Sequence, residues 1–360
     1  MLMLYLQFFL AMTVSSIDGS GTLVLSNAIL ENTLQNAQIS DTEKMANNKA
    51  TEISNTEITI TSIGDNTIGY DTAFGYSGSF IQEVDYNGID YPYKNVAGLF
   101  LNDDLTIANL ETTLTDSKNR AVKKFKFAGK PEYRNMLVNN GIDAVNLANN
   151  HIMDYLEQGY QDTMANLNQA GIGFFGEDIR LVKDIKGVKV GMLGYQGWSN
   201  NAAFKTRVSK DIAGLKEQAK IVVVSFHWGN EGVNYPNNAQ MDLGRFSIDC
   251  GADLVLGHHP HVIQGIENYN GKNIVYSLGN FVFGGNKNPA DKDTFIFQQK
   301  FVVSPEGELT LAAPNIIPAS LSSVNWRNNY QPVLLQAEEA ERVLNRLRIY
   351  SSALEYGLKF

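Results

Sequence analysis

The chain has a single cysteine, Cys250, among its 360 residues. One thiol cannot form an intrachain disulfide framework, and it cannot supply a cluster of thiolate metal ligands. Any metal site must therefore be built from histidine, aspartate, glutamate and asparagine. Such donors favour ions with nitrogen and oxygen ligands, such as Mn, Fe or Zn.

Basic residues are too few to suggest a nucleic-acid partner. The chain has 29 Lys and Arg against 38 Asp and Glu, which gives a net charge of −9 and a pI near 5.1. Proteins that bind nucleic acids usually carry the opposite balance, so we expect no nucleic-acid partner. The 44% hydrophobic content is enough for a large core and argues against global disorder.

Two common catalytic motifs are also missing. No Gly-x-x-x-x-Gly-Lys-Ser/Thr loop is present, so an ATP-driven ligase would lack its phosphate-binding element. No Gly-x-Ser-x-Gly sequence supports a Ser-His-Asp hydrolase of the nucleophile-elbow type.

The N-terminal run from Met1 to Val14 is almost wholly apolar but short. It falls below the roughly 20 residues that a membrane-spanning helix needs, and no Lys or Arg precedes it as in most signal peptides. We expect residues 1–19 to be a signal peptide or membrane anchor, with a buried helix as the alternative. Residues 20–56, rich in Asn, Ser and Thr, are expected to be a flexible polar linker. The protein is then extracytoplasmic, membrane-anchored or secreted at the cell surface.

From residue 57 onwards, strand-like and helix-like segments alternate, which is typical of a layered α/β fold. The predicted strands are 57–63, 104–111, 142–147, 188–193, 221–226 and 252–256, and the predicted helices are about 131–139, 157–170, 238–250 and 337–350. A β-hairpin is predicted at 293–303 and 308–313. We expect one domain over 57–318 and a C-terminal extension, 319–360, whose amphipathic helix packs on it.

All five histidines lie at the ends of strand-like segments. Three are in Gly257-His258-His259-Pro260-His261, and the others are His151 and His227. The ends of other segments carry further metal-binding side chains, namely Asp65, Glu111 and Asn150. Because α/β sheets bind ligands at the carboxyl ends of their strands, this pattern predicts a shared metal site rather than isolated structural histidines.

Such a cluster suits the hydrolysis of a phosphate ester. Two cations about 3.5–4 Å apart, bridged by a carboxylate, can clamp a phosphoryl group and lower the pKa of water. A nearby histidine can protonate the leaving oxygen. We expect the amide oxygen of Asn150 to bind metal and the imidazole of His151 to act in catalysis.

Five motifs occur in a fixed order along the chain. They are Gly64-Asp65, Asn109-Leu110-Glu111-Thr112, Leu147-Ala148-Asn149-Asn150-His151, His227-Trp228-Gly229 and the stretch 257–281. Together they resemble the CapA/PgsA family of poly-γ-glutamate capsule biosynthesis proteins, which is related to the calcineurin-like metallophosphoesterases. The resemblance covers residues 58–301 and implies a four-layer α/β sandwich of the calcineurin-like metallophosphoesterase type.

The resemblance also implies which residues form the site. The implied metal ligands are Asp65, Glu111, Asn150, His227, His259 and His261, with His151 and Asn150 in catalysis. His258 competes with His259 for one position, and Glu231 either contacts a metal or a ligand histidine, or faces solvent. The expected cofactor is one or two divalent ions, Mn, Fe or Zn. Thr67 stands where the superfamily has a second histidine ligand, and Glu111 replaces a bridging aspartate.

Two functions follow from these observations. The favoured one is a capsule biosynthesis protein with a metal-dependent, phosphoesterase-like hydrolase site that acts on a phosphoester or a related polymer bond. The alternative is a non-catalytic component of a capsule synthase or export complex, which binds an anionic polymer and contacts membrane-bound synthase subunits. A purely structural surface protein is a third, weaker alternative, because it would need none of these side chains. Between the first two functions, Thr67 favours binding over turnover, since it stands where a metal-binding histidine is expected.

Overall fold

The computed structural model describes residues 54–360. The signal peptide or anchor predicted for residues 1–19, and the predicted linker up to residue 53, lie outside the described residues. Within residues 54–360, no helix is both long and apolar enough to cross a bilayer.

The described region alternates strands with helices, as the sequence predicts. In chain order the strands are β1 (Thr56–Thr67), β2 (Leu105–Leu110), β3 (Thr113–Leu114), β4 (Ala128–Gly129), β5 (Ala144–Asn146), β6 (Gly173–Phe175), β7 (Leu181–Ile185), β8 (Val188–Gly197), β9 (Ile221–Trp228), β10 (Leu254–His258), β11 (Ile266–Tyr269), β12 (Lys272–Val275), β13 (Asn280–Phe283), β14 (Asp293–Val303), β15 (Leu309–Leu311), β16 (Asn315–Ser320) and β17 (Val333–Leu334). The α-helices are α1 (Phe80–Asn87), α2 (Ala97–Phe100), α3 (Arg134–Asn139), α4 (Leu156–Ala170), α5 (Ala202–Lys216), α6 (Asn238–Asp249) and α7 (Ala337–Ser352).

The strands form two large mixed sheets and one short strand pair. The larger sheet has the order β17-β16-β14-β1-β2-β5-β6, with β13 paired to β1 and β15 to β14. The smaller sheet has the order β11-β12-β10-β9-β8-β7. The parallel neighbours β1 and β2 in one sheet, and β9 and β10 in the other, present their carboxyl ends to the same region.

Apolar side chains of the described residues cluster in three layers. Ile60 of β1 and Val223 of β9 belong to the cluster between the two sheets. Leu167 of α4 belongs to the cluster on the outer face of the larger sheet. Ile212 of α5 and Leu243 of α6 cover the outer face of the smaller sheet. The resulting helix–sheet–sheet–helix order confirms the predicted four-layer α/β sandwich.

β9 shows why the smaller sheet is buried. Its sequence is continuously apolar up to Ser225, and each of its eight residues is buried. A strand covered on both faces has no need of the polar alternation that a half-exposed strand shows.

The C-terminal helix α7 packs against β16 of the larger sheet and β11 of the smaller sheet. Val343 and Leu347 enter the cluster between the sheets. Arg342 donates two hydrogen bonds to the carboxylate of Asp293 at the start of β14, each of 2.6 Å. Arg346 also contacts Asp293 and donates to Asp291. The helix is therefore held by the burial of its apolar side chains and by the ion pairs of its two arginines with these aspartates.

Two glycines allow the loops near the strand ends to approach closely. A Cβ atom on Gly64 would lie 2.0 Å from the carbonyl oxygen of Gly279, and one on Gly257 would lie 2.0 Å from that of Tyr276. Both contacts are with backbone, which cannot move aside cheaply. Any larger residue at Gly64 or Gly257 would therefore push apart the backbone that carries the site.

Candidate metal centre and catalytic histidine

Asp65 lies near the end of β1, at an irregularity in the pairing with β13. Its buried carboxylate accepts hydrogen bonds from Nδ2 of Asn109 at 2.8 Å and from the backbone N–H of His259 at 3.1 Å. Burial alone would raise the pKa of Asp65, but the imidazoles of His258 and His261 outweigh this effect and hold the pKa well below its usual value. Asp65 is therefore an anion inside the protein.

Glu111 follows β2 directly and is also fully buried. Within residues 54–360, neither of its carboxylate oxygens has a hydrogen-bond partner. Nε2 of His227 lies 3.5 Å from Oε1, and Nδ1 of His261 lies 3.8 Å from Oε2. Burial, reinforced by the charge of Asp65, raises the pKa of Glu111 well above its usual value. A buried carboxylate without a partner requires an explanation, and a bound cation supplies one.

His227, the seventh residue of β9, lies in the middle of the site. Its Nε2 is 2.9 Å from Oδ1 of Asn150, and its Nδ1 is 3.3 Å from Nδ2 of Asn109. Burial lowers the pKa of His227 well below its usual value, so the ring is neutral near pH 7. Neutral imidazole is the form that binds metals.

The orientation of the Asn109 side chain is set by two other amides. Asn146 and Asn149 donate through Nδ2 to Oδ1 of Asn109, at 3.0 and 3.4 Å. The amino group of Asn109 must therefore face Asp65 and His227. This buried amide chain fixes the positions of a carboxylate from one strand and an imidazole from the other sheet.

The histidine-rich loop begins inside β10 rather than after it. β10 extends through His258, which pairs in register with His227 of β9. The next residues turn sharply, since His259 has φ +94° and His261 has φ +58°. Positive φ is uncommon for non-glycine residues, and such strain persists where the surrounding contacts enforce it. Here the hydrogen bond from His259 to Asp65 holds the turn.

The three rings of this loop have different environments. Both ring nitrogens of His258 are buried and have no hydrogen-bond partner among the described residues. Burial, together with the nearby His261, lowers the pKa of His259 to about 4. Burial alone would also lower the pKa of His261, but Glu111 and Asp65 outweigh it and raise that pKa to about 9.

The described part of the chain contains three groups of three side chains that could each hold a metal ion. Within each group, the candidate ligand atoms all lie within 4.8 Å of one another. The groups are Glu111–His227–His259, Asp65–Glu111–His261 and Glu231–His259–His261. Because the groups share members, they form one continuous cluster, and Asn150 joins it through His227. The structure thus brings together all six residues predicted as ligands, and it places Glu231 beside them.

Two other residues singled out from the sequence lie nearby but outside these groups. Nδ1 of His258 is 3.5 Å from Oδ1 of Asp65, yet His258 is absent from all three groups. Thr67 is fully buried, and its hydroxyl has no hydrogen-bond partner in the region that the structure describes.

His151 lies at the edge of the cluster in the turn after β5. Its Nδ1 is 2.6 Å from Oδ2 of Asp154, and its ring packs against Phe127 with the centroids 4.5 Å apart. Burial lowers the pKa of His151. Lys123 donates to Oδ1 of Asp154 at 2.6 Å and to the carbonyl oxygen of Asn150 at 2.8 Å.

A cavity of about 550 Å³ gives access to this region from solvent. Its wall includes His151, His261 and Glu231, together with the aromatic rings of Phe125 and Phe283. The half-exposed Trp198 stands edge-on to His259, with the ring centroids 4.7 Å apart. The site is therefore open to a substrate but bordered by aromatic side chains.

Sequence reasoning assigned no role to Asn109, Lys123 or Trp198. Asn109 stands two residues before Glu111 in one of the motifs, so the motif could have identified it as a site residue. Lys123 and Trp198 lie in segments between predicted elements. Their proximity to the site depends on tertiary packing, which local sequence patterns do not reveal.

Comparison with known protein families supports the resemblance seen in the sequence motifs. The family model described as "Bacterial capsule synthesis protein PGA_cap" matches residues 59–285. This range contains every predicted site residue, and it confirms the family resemblance that the five motifs indicated.

Two curated relatives each match more than half of the chain. The "PGA biosynthesis protein CapA" of Bacillus subtilis is 36% identical over 229 residues, which are 57% of this chain and 60% of the relative. The "Capsule biosynthesis protein CapA" of Bacillus anthracis is 33% identical over 257 residues, which are 64% and 60% of the two chains. The chain thus spans about 60% of the length of these relatives.

Among solved structures, the protein TT1561 of Thermus thermophilus aligns with a TM-score of 0.35 and 9% identity, covering 71% of this chain and 99% of that chain.

Proposed function

Because the chain belongs to the bacterial capsule synthesis protein PGA_cap family, we propose that it is a capsule biosynthesis protein with a metal-dependent, phosphoesterase-like hydrolase site. The observation that carries the hydrolase assignment is the buried carboxylate of Glu111, which lacks a hydrogen-bond partner among the described residues and faces His227 and His261. Leaving such a group uncompensated costs free energy, so its presence at this buried position supports a bound ligand.

The residues present fit one or two divalent ions. The carboxylates of Asp65 and Glu111 and the imidazoles of His227, His259 and His261 would hold them, with Asn150 and Glu231 as further oxygen donors. Nitrogen and oxygen donors without thiolate suit Mn, Fe or Zn. When bound, such ions polarise a phosphoryl oxygen and lower the pKa of water.

His151 would transfer the proton in this reaction. Its Nδ1–H donates to Asp154, which leaves Nε2 as the nitrogen available to the cavity. The hydrogen bond fixes both the tautomer and the orientation of the ring. Lys123 in turn fixes Asp154, so the histidine is positioned before a substrate arrives.

A non-catalytic, polymer-binding role is the second candidate, and Thr67 favours it. A threonine hydroxyl beside Asp65, where the related enzymes have histidine, removes one nitrogen donor from that side of the site. In this case the same pocket would bind an anionic polymer within a capsule synthase or export complex. Under either function the protein would act at the cell surface, with membrane-bound synthase subunits as partners.

The decisive experiment combines metal analysis with turnover. The full chain is purified, reconstituted with Mn, Fe or Zn, and analysed for metal content and for hydrolysis of bis(p-nitrophenyl) phosphate. We expect one or two ions per chain and activity that His151→Ala abolishes without loss of metal. Bound metal without hydrolysis would favour the second candidate. A chain that binds no ion after reconstitution would contradict the metal centre itself.

A further inference from the structure

Two of the three histidines assigned as metal ligands are oriented by hydrogen bonds to amide side chains. The ring of His227 contacts Asn109 at 3.3 Å and Asn150 at 2.9 Å, and Nδ1 of His261 lies 2.9 Å from Oδ1 of Asn280. Metal-binding histidines usually have such a partner, because the bond fixes the plane of the ring before the ion binds.

The third ligand histidine, His259, is oriented differently. Its Nδ1 is buried and has no hydrogen-bond partner among the described residues. The ring packs instead against other rings: its centroid is 4.7 Å from that of Trp198, 4.7 Å from that of His227 and 5.7 Å from that of His261. Of these three neighbours, Trp198 is the one that lies outside the proposed metal centre.

The indole of Trp198 is anchored to its own strand. Trp198 directly follows β8, where Gln196 pairs in register with His227 of β9. Nε1 of Trp198 donates to Oε1 of Gln196 at 3.2 Å, and the backbone N–H of Gln196 donates to Oε1 of Glu177 at 3.1 Å. These bonds hold the indole without the use of any histidine.

The contact between Trp198 and His259 has the geometry of a favourable aromatic pair. The two ring planes are 79° apart. Edge-to-face pairs with centroids about 4.5–7 Å apart are preferred, because the positive edge of one ring meets the negative face of the other. Trp198 also stands edge-on to His227, at 5.7 Å and 90°. The three rings therefore restrict one another's rotation.

We infer that Trp198 positions the imidazole of His259 for metal binding, in the way that amide side chains position His227 and His261. This inference rests on the proposed function and deepens it by adding a positioning residue to the metal centre. The backbone of His259 is already held at φ +94° by its hydrogen bond to Asp65, so the rotation of the ring is what remains to be fixed. A ring that is fixed in advance loses less conformational entropy when it binds the ion.

The test measures the metal affinity of the full chain by titration with Mn or Zn. The variants are Trp198→Ala and Trp198→Phe, and the matched control is Trp326→Ala, which truncates another exposed tryptophan that lies against Arg327. Because Trp198 is 47% exposed, its truncation leaves no closed cavity and should not prevent folding.

We expect Trp198→Ala to weaken metal affinity by about tenfold and Trp326→Ala to leave it unchanged. Trp198→Phe should retain most of the affinity, because a phenyl ring can keep the edge-on contact. Unchanged affinity in Trp198→Ala would overturn the inference. So would equal losses in the Ala and Phe variants, since the bond to Gln196 and not the aromatic contact would then matter.

A double variant tests whether Trp198 acts through His259. In a His259→Ala background, Trp198→Ala should cause no further loss of affinity, because the ring that it positions is gone. If the two losses simply add, Trp198 acts on the metal centre by another route and the inference is wrong.

A measurement in EDTA separates this inference from the proposed function. Diethyl pyrocarbonate modifies accessible imidazole nitrogens, and mass spectrometry identifies the modified ring. His259 is only 8% exposed, so Trp198→Ala should raise its rate of modification several-fold. The rate at His151, whose ring packs against Phe127, should stay the same.

The two kinds of failure then differ. A chain that binds no ion contradicts the proposed metal centre, whereas the rates of modification still report whether Trp198 holds His259. Equal rates at His259 in the unmodified chain and in Trp198→Ala would overturn the inference, whatever the metal content.

Discussion

Nδ1 of His151 and Oδ2 of Asp154 lie 2.6 Å apart in a turn where Asp154 is fully buried. The same carboxylate accepts hydrogen bonds from Lys123 and from the backbone of Phe127. A single side chain therefore orients the proposed catalytic ring and anchors the segment from Lys123 to Phe127.

Asp154→Asn should lower turnover of bis(p-nitrophenyl) phosphate by about 100-fold or more, because an amide can present N–H to Nδ1 and disfavour the required tautomer. Metal content should not change, since Asp154 is not in the cluster of donors. Asp242→Asn is the matched control, because Asp242 also has a lysine nitrogen at 2.6 Å, that of Lys205. Equal activity in the two variants would show that Asp154 does not orient His151.

Glu111→Gln should stabilise the metal-free protein while reducing its metal content. The substitution removes a buried carboxyl group that has no hydrogen-bond partner within residues 54–360 and whose ionisation is disfavoured by burial and by the charge of Asp65. We expect the free energy of unfolding in EDTA to rise by about 1 kcal/mol, measured by urea denaturation. Metal content after reconstitution should fall, because a neutral amide is the weaker ligand.

The control for this variant is a second buried glutamate whose carboxylate, unlike that of Glu111, has hydrogen-bond partners. Glu267 is also fully buried, but it accepts hydrogen bonds from Arg245 at 2.6 Å and from the hydroxyl of Tyr276 at 2.7 Å. Glu267→Gln should therefore destabilise the protein, by about 2 kcal/mol. If Glu111→Gln destabilises the metal-free chain as much as Glu267→Gln does, Glu111 is a structural residue.

The competition between His258 and His259 can be decided by single substitutions. His259 belongs to two of the donor groups, whereas His258 belongs to none of those within the described chain. His259→Ala should weaken metal affinity by at least tenfold, and His258→Ala should change it by less. Titration of each variant with Mn or Zn measures this difference. A larger loss for His258→Ala would assign the ligand role to His258.

The ion pairs that hold α7 against Asp293 should weaken at acidic pH. Burial alone would raise the pKa of Asp293, but hydrogen bonds from Arg342 and Arg346 outweigh it and lower that pKa. A carboxyl with a lowered folded-state pKa adds stability above its ordinary pKa of about 3.9, and that stability is lost as the pH falls through the folded-state value.

We therefore expect Asp293→Asn to cost about 2 kcal/mol of unfolding free energy at pH 7. The difference from the unmodified chain should begin to shrink below about pH 4, where Asp293 of the unfolded chain becomes protonated, and should disappear as the pH falls through the lowered folded-state pKa. Urea denaturation at several pH values checks this expectation. A difference that stays constant down to pH 3 would mean that the charge of Asp293 does not hold the helix.

Part of the layered fold could be predicted because strands such as β9 are continuous apolar runs and β1 begins as an alternating one. β9 and α6 lie within one or two residues of their predicted positions. α5 was not predicted, although Phe204, Val208 and Ile212 recur at the spacing of a helix face. β13 has only four residues and is defined by its pairing with β1, so its own sequence contains little evidence of a strand.

The site itself was only partly accessible to sequence reasoning. Histidines and carboxylates at strand ends could be selected because the ends of parallel strands share one edge of a sheet. Lys123 could not, since its partner Asp154 is 31 residues away and only the folded loop brings them together. Likewise, the unsatisfied carboxylate of Glu111 is a property of its surroundings, which no motif records.

The hydrogen bond between Asp65 and the backbone of His259 joins residues 194 positions apart. The contact between Asn109 and His227 spans 118 positions. Contacts of such high sequence separation carry a large loop-closure entropy cost and slow the folding of a chain that depends on them. The proposed metal centre requires both sheets to be assembled, so a bound ion would stabilise the completed fold and not its intermediates. In this chain, acquisition of the ion would then mark the end of folding.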